Sequence, residues 1–364
     1  MKAKYIPKIL FFGPVPPPVF GEAVAFFEAY RCYNGKKRLI NKNSTTKAPI
    51  IKAIQTLLNI IQIYYNCFIG RFNLGYFSCS RSLLGSLRDI FFIEICSAFG
   101  LILVVHLHGS DFNSFILTSK GLHRRMLLRA YGKVSYGFVL LDEMKSQFSD
   151  FQNIHTLVIP NFVDPGLPLK EDFSRKNDVV RLIFFSNLMF SKGLFDVLES
   201  FIILSLAHNN LELHIAGKIM SDSYKSKEEV AAFLDIKLGE SESITYHGML
   251  SGSEKNEFLL NGDLFILPSF KEGVPLSLLE AMVTGNVIIA SDCNYLRYLF
   301  SHDIGQMVAL GDIGDLVNAI SLYINDHNLM VQTQISNGKL AKRKYSKNNY
   351  INNLESAFIK IHEG

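Results

Sequence analysis

The chain has no apolar run of the roughly 18 residues that a membrane-spanning helix requires. Its nearest candidate, Ile90 to Val105, is interrupted by Glu94 and Gly100 and reads as a helix end, a turn and a buried strand. The amino terminus has basic residues but lacks the long apolar core of a signal peptide, and Ile9 to Phe12 is better explained as a first strand. Cysteine is sparse. Cys32, Cys67, Cys79, Cys96 and Cys293 are odd in number, scattered and without metal-ligand spacing. They argue against a disulfide framework or a zinc site and for a reducing, cytoplasmic location. There is no fixed-period repeat and no groove-reading or aromatic RNA-binding signature, so no nucleic-acid partner is expected.

What is there suits a globular protein of two domains: 364 residues, 48% hydrophobic and 19% charged. Charge is unevenly spread. Residues 1–170 carry 20 basic and nine acidic side chains, the remainder 17 and 24. A basic amino half can face an anionic membrane surface or a phosphorylated substrate, or simply be a solvated face. Ser119 to Tyr131, with Lys120, Arg124, Arg125 and Arg129 among leucines, reads as a basic amphipathic surface helix.

The pattern alternates strand and helix throughout. After the first strand, the prolines at 16–18 force Gly13 to Phe20 into a loop, and Gly21 opens a helix to Tyr30. Such a loop between a first strand and a helix is a phosphate-facing arrangement, because helix amides point at it. Arg31 to Lys52 reads as an exposed polar loop, Leu57 to Ile69 and Leu83 to Phe99 as helices, and Leu101 to Leu107 as a central strand. His108 follows at that strand's tip, where ligands bind in such folds, and Asp111 is placed to cap the next helix. A linker is expected over 165–178. A second set begins with a strand at Arg181 to Phe185, a loop ending in Ser-Lys-Gly at Lys192, and a helix from Leu194. The tail from Asn337 to His362 reads as helical.

The most informative stretch is Asp263 to Ser291. Leu264 to Leu267 reads as a buried strand, Ser269 to Pro275 as a loop, Leu276 to Val283 as a helix stopped near Gly285, and Val287 to Ala290 as a second buried strand. This is a parallel β-α-β unit, with its ligand site at the strand ends and the helix start. Glu272 lies in the loop and Glu280 inside an otherwise apolar helix, where a buried acid needs a partner or a ligand.

The sequence Pro-Ser-x-x-Glu-Gly-x-Pro-x-x-x-x-Glu-Ala-Met-x-x-Gly, formed here by residues 268–285, resembles the signature of the retaining glycosyltransferases of family four. The resemblance implies an α/β protein of the GT-B fold, two doubly wound Rossmann-like domains facing a cleft. Its amino-terminal, acceptor-side domain would span residues 1–165, with 345–364 packing back on it, and its donor-binding domain 179–344. It implies transfer of a sugar from a nucleotide-diphosphate sugar to a glycan or lipid-linked acceptor during surface polysaccharide assembly, by a cytoplasmic enzyme peripheral to the membrane. The nucleotide sugar is a substrate, and no cofactor is expected.

Residue by residue, Glu280 would accept the ribose hydroxyls, and Glu272 would face the donor sugar beside the backbone of Gly273, Val274, Pro275 and Leu276. Lys192 would hold the diphosphate, His108 would approach the donor sugar, and the loop between Gly13 and Gly21 would lie over the pyrophosphate. The family usually places an arginine five residues before the lysine; here that position is Asn187. The linker sequence at 160–165 departs too, with Phe162 where the family has glycine. No Asp-x-Asp occurs, which points to a metal-independent mechanism in which Lys192 and helix dipoles stabilise the departing diphosphate. No second acid stands out as a nucleophile, so the resemblance implies reaction on one face of the sugar. The other readings are a different GT-B enzyme, such as a phosphorylase or epimerase, and a silent glycan-binding or scaffold subunit.

Overall fold

The computed structural model describes residues 6–43, 48–173, 178–300 and 303–363. Residues 1–5, 44–47 and 174–177 lie outside the described residues, and with them the extreme amino terminus, part of the expected 31–52 loop and part of the expected linker. The chain divides into two compact units, residues 1–161 with 348–364, and residues 162–347.

The first unit runs β1 (Ile9–Gly13), α1 (Gly21–Cys32), β2 (Lys37–Asn41), α2 (Pro49–Gly70), β3 (Leu74–Ser78), α3 (Leu83–Ala98), β4 (Ile102–His106), α4 (Phe112–Thr118), α5 (Gly121–Tyr131), β5 (Tyr136–Val139) and β6 (His155–Val158). All six strands are parallel, in the order β2-β1-β3-β4-β5-β6. Strands β1 and β3 are buried along their whole length, as expected of a parallel sheet covered on both faces.

The second unit holds β7 (Val180–Phe185), α6 (Leu194–Ser205), β8 (Leu211–Ala216), α7 (Lys227–Glu240), β9 (Ile244–Tyr246), α8 (Gly252–Asn261), β10 (Leu264–Leu267), α9 (Leu276–Val283), β11 (Val287–Ser291), β12 (Gly305–Val308), α10 (Ile313–Asn325) and α11 (His327–Lys344). Its sheet is again parallel, ordered β12-β11-β10-β7-β8-β9. Read from β9, this is the doubly wound 3-2-1-4-5-6 order, whose direction of winding reverses between β7 and β10. The last helix, α12 (Lys347–Glu363), belongs to the first unit, where Phe358 packs on Phe11, Tyr33, Tyr76 and Phe138.

The α/β class holds for both units. Three local readings do not. The stretch 31–52 is not all loop: Lys37–Asn41 is an edge strand that buries only Ile40, so its polar residues hid it. The helix expected from Leu57 begins at Pro49. The tail is two helices, broken at residues 345–346, not one.

Candidate active site

Because winding reverses between β7 and β10, the loops that follow these two strands emerge side by side. After β7 the chain makes a single tight turn, Phe190–Lys192, and enters α6 through Gly193. Gly193 has φ +76°, and a Cβ there would sit 2.4 Å from the Pro268 carbonyl oxygen in the other loop. Only glycine fits so close an approach. The loops are also tied by a hydrogen bond from the Phe270 N–H to the Ser191 carbonyl, 2.9 Å, and by the edge contact of Phe190 with Phe270. The Ser191 N–H in turn donates to the Asp222 carboxylate at 2.7 Å. Burial would push the Asp222 carboxyl up, but the amides of Ser191, Lys225 and Tyr224 outweigh it and hold it below the usual range.

This clamp brings together two residues that are 80 apart in sequence. The Lys192 ammonium lies 2.5 Å from the Glu272 carboxylate, with about a fifth and a tenth of the two side chains exposed. Burial pushes the Cys293 thiol up, and the Glu272 charge beside it adds to the effect. Val274 is buried, and Pro275 precedes the first turn of α9. Neither α6 nor α9 has a side-chain cap, whereas α7, α10 and α11 are capped by Ser226, Asp312 and Asp326. The first amides of α6 and α9 are therefore the positive ends of two helix dipoles at the same seam.

Glu280 lies in the second turn of α9 and has a partner that no motif marks: Lys255 of α8, whose ammonium is 2.6 Å away. Burial raises the Glu280 carboxyl above the ordinary range, Lys255 pulls it back, and Asp164 pushes it up again. Lys255 lies in a polar helix 25 residues from its partner, so neither periodicity nor spacing points to it. Asn187, where the family has arginine, is exposed.

Gly13, Gly21 and His108 belong to the first unit. Gly13 ends β1, and a Cβ there would meet the Phe26 ring at 2.5 Å, so its small size serves the packing of α1. Gly21 is the exposed first residue of α1. His108 lies two residues beyond β4, its ring tilted by 32° against that of His106 with centroids 4.1 Å apart. Both its ring nitrogens are sealed from solvent. Burial lowers its pKa to about 4, against the opposing pull of Glu22, so the imidazole is neutral at physiological pH. His106 is buried deeper and bonded through Nδ1 to the Tyr76 hydroxyl at 2.6 Å. Asp111 does not cap α4 with its side chain; it pairs with Arg81 at 2.6 Å. Arg81 and Glu22 thus join His108 at the carboxyl end of this sheet, and the sequence reading named neither.

Residues 169–340 match the family model described as glycosyl transferases group 1. Over 209 residues the chain is 26% identical to the N,N'-diacetylbacillosaminyl-diphospho-undecaprenol alpha-1,3-N-acetylgalactosaminyltransferase of Campylobacter jejuni. That match covers 54% of this chain and spans about half of the relative, 53% of its length. Among solved structures, sucrose-phosphate synthase from Thermosynechococcus elongatus is similar with a TM-score of 0.77 at 14% identity, covering 97% of this chain and 98% of that one. Anabaena HepE, in complex with UDP and glucose, is similar with a TM-score of 0.71, again at 14% identity and with 97% and 98% covered. The fold is that of the GT-B glycosyltransferases.

Proposed function

We infer that this chain, whose residues 169–340 are a group 1 glycosyl transferase domain, moves a sugar from a nucleotide-diphosphate donor to a glycan or lipid-linked acceptor of a surface polysaccharide. The observation that carries the reading is the Lys192–Glu272 pair at the winding reversal, flanked by two uncapped helix starts. A diphosphate competes well for that ammonium, since it brings more charge than a single carboxylate and also accepts from helix amides. Once Lys192 turns to the phosphate, Glu272 is free to accept hydroxyls of the donor sugar. Glu280, held by Lys255, takes the ribose.

In the transfer step the bond from the anomeric carbon to the diphosphate oxygen breaks and a bond to the acceptor oxygen forms on the same face. The acceptor proton passes to the leaving diphosphate. Lys192 and the amides of α6 and α9 stabilise the charge that develops there, each well-placed donor contributing about 3–4 kcal/mol. In this reading the charge that a metal supplies in other transferases comes from the chain itself, and no cofactor takes part. His108, neutral, would orient hydroxyls rather than carry charge, and the acceptor would be handled by the basic first unit.

The Campylobacter relative acts, by its name, on a diphospho-undecaprenol-linked sugar, which supports an acceptor of that class and a location at the inner membrane surface. No helix among the described residues is long and apolar enough to cross a membrane. The test is transfer from a panel of labelled nucleotide-diphosphate sugars to polyprenyl-diphosphate-linked acceptors in detergent with a chelator present. Hydrolysis or epimerisation of the donor without transfer, or donor binding without turnover, would overturn the assignment.

A further inference from the structure

Helix α2 is apolar on both sides. Its inner side buries Ile63 and Cys67 together with Asn59, which donates to the Asn41 carbonyl at 3.2 Å, and the half-buried Gln55 donates to the Asn43 carbonyl at 2.7 Å. Its outer side is a stripe at helical spacing, Ile50, Ile54, Leu57, Ile61, Tyr65 and Phe68, each between 52% and 75% exposed. By helix geometry the stripe is about 27 Å long. Leu83 and Leu84 at the start of α3 are also exposed, at 57% and 68%, and an apolar recess of about 380 Å³ opens between Ile60, Tyr64, Phe68 and Ile95. Such a continuous apolar surface marks an interaction site.

Charge decides what covers it. Helix α2 holds one charged residue, Lys52, and is followed by Arg71. Right-handed crossovers put α2, α3 and α5 on one face of the sheet, with α3 packed against both neighbours, so the basic α5 shares the face with the apolar stripe. From residue 49 to 131 there are eight basic side chains and three acidic ones. All three acids are neutralised: Asp89 by Lys42, Glu94 by Lys133 and Arg129, and Asp111 by Arg81. A second copy of the chain would bring the same sign of charge against itself. A bilayer of anionic lipids offers both the opposite charge and an apolar interior, with tyrosines such as Tyr64 and Tyr65 suited to the headgroup level.

We propose that α2 lies in the plane of an anionic membrane surface with its Ile/Leu/Tyr/Phe stripe inserted among the acyl chains, and that Lys120, just before α5, and Arg125 and Arg129 within it add electrostatic attraction. This extends the transferase reading, in which the acceptor is lipid-linked, by assigning the apolar anchor; it does not depend on which sugar is moved.

The chain contains no tryptophan. A Tyr65→Trp variant of the full chain therefore carries a single reporter on the stripe. With vesicles of phosphatidylcholine containing about a third phosphatidylglycerol, its emission shifts to the blue and is quenched by acyl-brominated lipid. Ile54→Glu with Ile61→Glu lowers vesicle partitioning at least about tenfold at every salt concentration, while Arg125→Glu weakens it only at low salt. Both changes are at exposed positions, and an unchanged melting temperature confirms folding. Emission that vesicles leave unshifted overturns the proposal. So does a blue shift that appears without lipid, rises with protein concentration alongside a dimer mass and is abolished by Ile61→Glu, which assigns the face to a second copy. A native chain that transfers in detergent but does not partition onto the vesicles sinks the anchor alone; a native chain that partitions but does not transfer sinks the enzymatic reading alone.

Discussion

Lys192 and Glu272 form an ion pair of 2.5 Å across the seam where the second sheet reverses its winding. The pair holds the Lys192 ammonium against Glu272 at the seam where α6 and α9, neither with a side-chain cap, begin. Replacing Lys192 by alanine removes the proposed diphosphate partner and takes the ammonium away from the Glu272 carboxylate. We expect kcat to fall by roughly 10²–10³, with Glu272→Gln also impaired and both variants still folded by circular dichroism. Near-normal turnover in Lys192→Ala would contradict the role given to it.

Glu280 and Lys255 act as a unit. Lys255→Met leaves a largely buried carboxylate without its cation, a change that costs about 1–3 kcal/mol and drives the Glu280 carboxyl further up. Adding Glu280→Gln to Lys255→Met restores part of that stability but not nucleotide affinity. Thermal unfolding and calorimetry of the two single variants and the double variant separate the effects. A restored affinity in the double variant would remove Glu280 from the ribose site.

His108 has a folded pKa of about 4 against an ordinary 6.5, so between these values the unfolded chain binds more protons than the folded one. The stability conferred by the neutral imidazole is complete above pH 6.5 and lost as pH falls toward 4. For a shift of this size it amounts to about 3 kcal/mol. His106, lowered further by burial, adds to the same acid limb. Urea midpoints measured from pH 7.5 to 4 should fall steeply in the native chain and less steeply in His108→Gln. An identical pH dependence in the two would show that the ring is not held neutral by burial.

Gly193→Ala tests the seam itself. A side chain at φ +76° costs about 1–2 kcal/mol, which is roughly 2–8 °C of Tm for a domain of this size, and the contact with the Pro268 carbonyl adds to it. Differential scanning calorimetry reads the shift, and donor affinity should fall with it, because Lys192 is the preceding residue.

Legibility in the sequence followed burial. The corner at 263–291 was readable almost to the residue: a strand over 264–267, a helix over 276–283 and a strand from 287 are all observed, because completely buried parallel strands leave unbroken apolar runs. Strand β2 was not, since an edge strand that buries one side chain leaves no period. Helix α2 shows a different limit. Its apolar period was visible over part of its length, but a period does not say how much apolar surface stays outside: Ile63 and Cys67 face the core, while the longer stripe from Ile50 to Phe68 faces out. Lys255, Arg81 and Glu22 were invisible because each meets its partner only through tertiary packing, whereas Lys192 and Glu272 were singled out by the family motifs they resemble, and the fold brings these two together.

The central claim is that this seam binds the diphosphate of a nucleotide sugar through Lys192. Isothermal titration of nucleoside diphosphates into the native chain and Lys192→Ala tests it without knowledge of sugar or acceptor. The account predicts saturable binding of at least one nucleoside diphosphate, weakened at least about tenfold by the substitution, equivalent to 1.4 kcal/mol. Equal affinity in the two proteins would contradict it.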